Sequence, residues 1–460
     1  MAFLTLLSLT SLAQISPPPL PPPTAIVRQR AVVQEQEVRT LPGQLDSIPV
    51  FNSNSPEVVY GPGILLSTFP GRGTAFPPAH LDLPLEGRFD IFAHHIARGR
   101  RREDWLPIYH GLLVHNPGNR PVTLYVLQGA SYVTNPDAPF VDLPPLVENP
   151  RGQVFSGPGS RLATDILRGL SNVPLPATLT LRPGEARLLF NWPIRLGNAR
   201  STLVRVRSSG PVHLASLTHP AIATGSQSHE PPTQADFERV LVRGSLAYPR
   251  DRRPTPLGYR GEDVIYGRVA GVARGSQWRA ELLDSPDAEH LSIPEPGNAF
   301  AYPISTLDVG TLGTGQVQSA PMLVRYPDTA YRAHGNYGIH YYLTLPLHNP
   351  SDRRQTVTIA LQTPLKHDEQ HQRVAFLEPP DNRIFFRGTV RVRFSDDRGI
   401  LRERLLHLHQ RRGERGEPLA VLDLAPSESR TVKVDFLYPP DATPPQILTV
   451  QTAGTVQAER

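Results

Sequence analysis

Proline occurs 51 times in these 460 residues and recurs along nearly the whole chain. It has no backbone N–H and fixes φ at about −65°, so it neither donates to a sheet ladder nor sits inside a helix. Long helices are excluded almost everywhere. The chain has to be built from short extended segments punctuated by turns. Together with Gly 35, proline stays below the roughly 25–30% combined share that marks low-complexity chains, so a folded protein is expected.

The segments between prolines alternate. Val357, Ile359 and Leu361 alternate with Thr356, Thr358 and Ala360; Val390, Val392 and Phe394 with Arg391 and Arg393; Val432, Val434 and Phe436 with Lys433 and Asp435. Successive side chains of a strand face opposite sides, so each segment should have one buried face and one wet face. That is the antiparallel sandwich pattern. Pro-Asp recurs at positions 136, 286, 327, 380 and 440, where proline presets a type I turn and aspartate bonds nearby backbone.

Residues 109–126 read YHGLLVHNPGNRPVTLYV and residues 342–360 read YLTLPLHNPSDRRQTVTIA. Each has an apolar strand, His-Asn-Pro, a polar turn and a second strand. A second matching block follows in both places, LRPGEAR from Leu181 and LAPSESR from Leu424, and each then leads to a strand, a loop and a last strand. Three blocks in one order indicate a duplicated unit. A chain of 460 residues also exceeds the roughly 250–300 residues at which one core stops growing. The expected fold is all-β, with two related antiparallel β-sandwich (Ig-like) domains in tandem. Short helices are expected over 160–167 and over 233–242, the second opened by Thr233-x-x-Asp236.

Residues 2–13 form an apolar and hydroxyl run ending in Ser11-Leu12-Ala13, which reads as a signal peptide over 1–13 and is too short to span a bilayer. A proline-rich spacer over 14–37 follows. The first sandwich domain is expected over 38–248, a charged proline-rich linker over 249–261 and the second domain over 262–455.

The absence of cysteine rules out disulfides, thiolate metal sites and cysteine nucleophiles. All basic residues except Lys366 and Lys433 are arginine, a fork suited to carboxylates and phosphates. No compact basic block of a nucleic-acid reader is present, so no nucleic-acid partner is expected. The common hydrolase, phosphate-loop and zinc-helix motifs do not occur, and Gly310-x-x-Gly313-x-Gly315 reads as close-turn glycines. His367 and His371 lie in a polar connection where four-residue spacing does not align two ligands, and His94 and His95 point to opposite strand faces. Neither a catalytic residue, a metal site nor a cofactor is expected. The best candidate ligand surface is the aromatic-polar run after Arg325, with Tyr331, Arg332, His334, Asn336 and Tyr337 in one glycine-containing loop. A weaker candidate is Phe51-Asn52-Ser53-Asn54.

The segments EVRTLPGQLDSIPVFNSNSPEVV from Glu37, GRFDIFAHHIAR from Gly87, VLQGASYVTNPDAPF from Val126, GQVQSAPMLVRYPDTAYRAHGNYG from Gly315 and VDFLYPPDATPPQILTVQT from Val434 resemble a cyanobacterial family of exported proteins of unknown function. The resemblance covers nearly all of 37–452. It implies a periplasmic or cell-envelope location and carries over no activity, cofactor or site residue. The expected function is an exported, non-enzymatic envelope protein with a binding or structural role, its partner an envelope polysaccharide or protein. The alternatives are a carbohydrate-active enzyme and a polysaccharide-binding protein of the envelope.

Overall fold

The computed structural model describes residues 29–259, 263–369 and 372–454. The expected signal peptide, the spacer as far as residue 28, and His371 lie outside them. Among the described residues the protein is mostly β, with two α-helices, α1 (Pro158–Leu167) and α2 (Gln234–Arg243), and one 3-10 turn. No helix among them is long and apolar enough to cross a membrane.

Both helices fall where the local sequence places them. In α2 the Thr233 hydroxyl accepts from the Asp236 N–H, and the Asp236 carboxylate accepts from the Thr233 N–H at 2.9 Å, a reciprocal cap for two otherwise orphaned donors. Gly169, at φ +77°, follows α1. Two of the Pro-Asp aspartates bond nearby backbone, Asp137 accepting from the Val133 amide at 3.1 Å and Asp381 from the Arg383 amide at 3.0 Å, although the Asn135–Pro136 peptide is cis and so departs from the expected type I turn.

The duplicated blocks make the same pairings twice. Strand Ile108–His115 runs antiparallel to Ala186–Ile194 with His115 opposite Ala186, and His340–His348 runs antiparallel to Ser429–Leu437 with His348 opposite Ser429. After each His-Asn-Pro, Val122–Val133 pairs with Thr178–Leu181 and Gln355–Gln362 pairs with Pro418–Leu424. The last strands, Ala199–Pro220 and Gln446–Thr452, flank these on the other side. The motif asparagine ties the two blocks together. Asn116 Nδ2 donates to the carbonyls of Arg120, Leu181 and Arg182, and Asn349 Nδ2 to those of Arg353, Leu424 and Ala425. The acidic residue of the second block then caps its own turn, Glu185 accepting from Arg182 N–H and Glu428 from Ala425 N–H, both at 2.7 Å.

Alternation holds in strands such as Thr178–Leu181 and Gln277–Glu281, whereas Gly63–Ser67 and Ala299–Ile304 are buried on both faces, and Ser429–Leu437 departs from it at one informative position. Val432, Val434 and Phe436 are buried as expected, but Asp435, expected on the wet face, is 1% exposed. A buried carboxylate has to be paired. Arg391 reaches it at 2.5 Å, Arg393 at 3.2 Å and His340 at 3.3 Å.

Strands from both sides of the expected linker share sheets. Pro49–Ser53 lies parallel to Leu85–Ala97 and antiparallel to Ala270–Arg274. Leu146–Glu148 pairs with Leu401–Arg411, and Gln44–Leu45 with Gln277–Glu281. One buried cluster contains Phe92, Tyr132, Leu162 and Leu203 together with Trp278, Tyr341 and Phe436. The expected linker is itself fastened: Arg250 pairs with Asp328 at 2.8 Å, and Asp251 accepts from the Ser55 hydroxyl at 2.7 Å. Arg30–Glu35, within the stretch expected as spacer, is a strand antiparallel to Arg373–Glu378, so folded structure begins before Val38.

Candidate functional site

Two loops, a flap whose described parts are 255–259 and 263–266, and the end of the strand Pro49–Ser53 build an open cleft. The flap is closed by reciprocal bonds between Thr255 and Ile265: the Thr255 amide donates to the Ile265 carbonyl at 2.8 Å, and the Ile265 amide to the Thr255 hydroxyl at 2.9 Å. Facing it is the glycine loop, where Gly310, Gly313 and Gly315 all have positive φ, the conformation glycine adopts without steric cost. The loop is pinned by Asp368, whose Oδ1 accepts from the amides of Gly310 (2.9 Å) and Thr311 (2.8 Å) and from the Thr311 hydroxyl (3.0 Å). Partial desolvation opposes ionisation of Asp368, but these donors outweigh it and hold the carboxyl below its usual range.

The outer compartment, about 460 Å³, lies between flap and loop and is walled by Tyr259, Tyr266, Asp308, Val317, His334 and Asp368 among others. Tyr266 donates to the Val309 carbonyl at 2.9 Å, its ring lies 4.6 Å from that of His334, and burial pushes its hydroxyl up to about 12. His334 is 8% exposed, with Nδ1 3.6 Å from the Asp308 carboxylate. Burial, with Arg332 adding to it, lowers the imidazole to about 4 against the pull of Asp308, so His334 is neutral at neutral pH. Behind Tyr266 and His334 lies a smaller inner compartment of about 190 Å³. It is lined by Asn52, Asn54, Arg268, Tyr337, Lys366 and the turn at Ala442–Pro444.

The aromatic run supplies one wall of this cleft rather than a site of its own. His334 belongs to both compartments, while Asn336 and Tyr337 face only the inner one. Asn336, at φ +49°, is fully engaged: it accepts from the Ala320 amide at 3.1 Å and donates to the Gln318 carbonyl at 3.0 Å and the Tyr341 hydroxyl at 3.1 Å. Tyr337 donates to the Ala442 carbonyl at 3.1 Å. Tyr331 lies under the Arg325 guanidinium at 4.0 Å and lines neither compartment, and Arg332 acts through Asp308, 3.3 Å away. Tyr266, Asp308, Arg268 and Lys366 escaped the sequence reading. The rarity of lysine was the one signal pointing at Lys366. Asn52 and Asn54, the weaker candidates, line the inner compartment.

The adjacent histidines diverge as strand geometry requires. His94 Nδ1 bonds the Ser201 hydroxyl at 2.8 Å. On the other face a buried chain runs from His110 Nε2 to Ser216 Oγ (2.8 Å), to Ser53 Oγ (2.9 Å), to His95 Nε2 (3.0 Å), and from His95 Nδ1 to the Pro56 carbonyl (2.9 Å). All four side chains are at most 1% exposed and none lines the cleft, so the Ser–His contacts tie strands together. Among the described residues no three His, Asp or Glu side chains converge as a metal site.

The fold and site define a predominantly β protein whose sheets interlock across its two halves and carry a two-compartment cleft on one side. The chain belongs to a family of proteins of unknown function, DUF3370, matched over residues 36–452. No curated protein matches it.

Proposed function

We propose that this is an exported, non-enzymatic protein of the cyanobacterial periplasm or cell envelope, whose cleft binds a polyhydroxylated ligand carried by envelope polysaccharide. The observation that carries the reading is the outer compartment, which Tyr259 and Tyr266 line together with Asp308 and Asp368. Aromatic faces pack on sugar rings and carboxylates accept hydroxyls, and rigid sheets bearing functional loops are a common platform for binding. Export rests on the apolar run 2–13, and the doubled strand pairings support two related Ig-like sandwiches as the ancestral unit.

Two carboxylates in one compartment also favour a glycosidase as a second reading. Such an enzyme needs one carboxyl that holds a proton and one that does not. An ionised Asp368 meets one half of that need, but its Oδ1 is occupied by three donors of the glycine loop, which weighs toward binding without turnover.

Three measurements test this. Fractionation should recover the chain in periplasm or envelope; recovery in cytosol rejects export. Tyr259→Ala together with Tyr266→Ala should abolish retention on isolated envelope glycan; full retention by that variant rejects the site. Release of reducing ends that stops in Asp308→Asn would replace binding by hydrolysis.

A further inference from the structure

The two compartments differ in charge. The outer one carries Asp308 and Asp368, and the inner one carries Lys366 and Arg268. Arg268 is balanced by Glu57 at 2.6 Å. Lys366 has no carboxylate within ion-pair distance among the described residues, although its stem is packed against Gly310, where a Cβ would come within 3.3 Å of the lysine Cδ. Desolvation of the packed stem, with Arg412 adding repulsion, lowers its ammonium to about 8, although the residue as a whole is exposed. It is an exposed cation on the inner compartment with no counter-ion among the described residues.

Polar groups beside it are also unanswered. Asn52 is 5% exposed and Asn54 4%, and the amide oxygen of each makes no hydrogen bond. A buried acceptor left without a donor is costly, so two of them lining one compartment point to a ligand that supplies donors. Asn52 lies in the strand Pro49–Ser53 and Asn54 directly after it, and both line the inner compartment. A volume of about 190 Å³ suits one hexose-sized ring rather than an oligosaccharide.

Resting on the glycan-binding reading above, we propose that the inner compartment is a subsite for a single sugar ring bearing an anionic group, a uronate carboxylate or a sulfate ester. The anionic group faces Lys366, with Arg268 beside it. The ring hydroxyls donate to Asn52 and Asn54, and the neighbouring neutral rings run past Tyr266 and His334 into the outer compartment. Charge at the inner end then decides which glycan is retained, and the aromatic outer wall contributes affinity without that discrimination.

Calorimetric titration of the full chain at pH 7 with a tetragalacturonate, a sulfated galactan tetrasaccharide and neutral cellotetraose tests this. One of the two acidic ligands should bind at least tenfold more tightly than the neutral one, and which of them does so identifies the anion. Lys366→Gln should bring that ligand down to the neutral affinity, while Lys366→Arg retains most of the preference; an unchanged thermal midpoint verifies that both variants are folded. Equal binding of acidic and neutral ligands, or a preference that survives Lys366→Gln, overturns the subsite and leaves the glycan-binding reading standing. Failure of all three ligands to bind rejects both.

Discussion

The phenol of Tyr326 donates a 2.7 Å hydrogen bond to the carbonyl of Ala79, 247 residues earlier, and accepts one of 3.0 Å from the amide of Ser67. Tyr326 belongs to the aromatic run of the second half, yet its fully buried ring shares a cluster with Phe51, Leu66 and Val114 of the first. The halves repeat one pattern of strand pairing and at the same time reach into each other's cores.

Tyr326→Phe keeps the ring and strands two buried backbone groups. The expected loss is roughly 1–3 kcal/mol, read by urea denaturation. Wild type and variant should each unfold in one transition, because the shared sheets and core couple the halves. Two separate transitions for the wild type would show that the halves fold independently.

Asn116→Ala and Asn349→Ala each remove the donors to three carbonyls at equivalent corners, so both should destabilise by about 2–3 kcal/mol. Comparable midpoints in the same urea experiment are expected. A marked loss for one and none for the other would contradict the equivalence of the two corners.

The buried histidine–serine chain has a fixed polarity. The Pro56 carbonyl can only accept, so His95 carries its proton on Nδ1, Ser53 donates to His95, Ser216 to Ser53, and His110 from Nε2 to Ser216. Nitrogen-15 shifts of the two rings should report one tautomer each, Nδ1–H for His95 and Nε2–H for His110. In Ser216→Ala, expected to be about 1–3 kcal/mol less stable, the His110 signal should change. Observation of the opposite tautomers would invalidate this proton assignment.

Burial lowers His95 to about 3, with His94 and Arg250 adding repulsion, and lowers His407 to about 3, with His409 and Arg387 adding to it. An unfolded histidine titrates near 6.5, so between these values the unfolded chain binds more protons than the native one. The stabilisation is complete above pH 6.5 and is lost as pH falls toward 3, at roughly 2 kcal/mol per histidine by pH 5. Thermal midpoints by circular dichroism should therefore drop clearly between pH 7.5 and pH 5, above the range in which the paired Asp435, whose carboxyl is also lowered, begins to contribute. A flat profile over that interval would contradict neutral burial of these rings.

The features legible in the sequence are those whose chemistry is local. Thr233 and Asp236 are three residues apart and cap a helix whatever surrounds it, and Asn-Pro followed by a polar turn makes the same corner in both halves because the asparagine bonds backbone a few residues away. Order alone then linked each corner to its partner block. Alternation likewise gave the buried face of Val432, Val434 and Phe436, but not the burial of Asp435, which depends on Arg391, Arg393 and His340 arriving from other strands.

Which strands lie side by side was decided only in three dimensions. A period of two is the same for every strand and records a face, not a neighbour. Pro49–Ser53 could therefore insert between Leu85–Ala97 and Ala270–Arg274 without leaving a trace in its own pattern. The cleft follows from such choices: Asn52, Tyr266, Asp308, His334 and Lys366 are ordinary residues of five separate segments, brought together because sheet pairing across the two halves holds a flap, a glycine loop and the end of a first-half strand around one space. The sequence by itself determined a β protein with a duplicated corner. The tertiary structure decided that the halves interlock and where the cleft lies, because hydrogen-bond pairing between distant strands carries information that no local spacing holds.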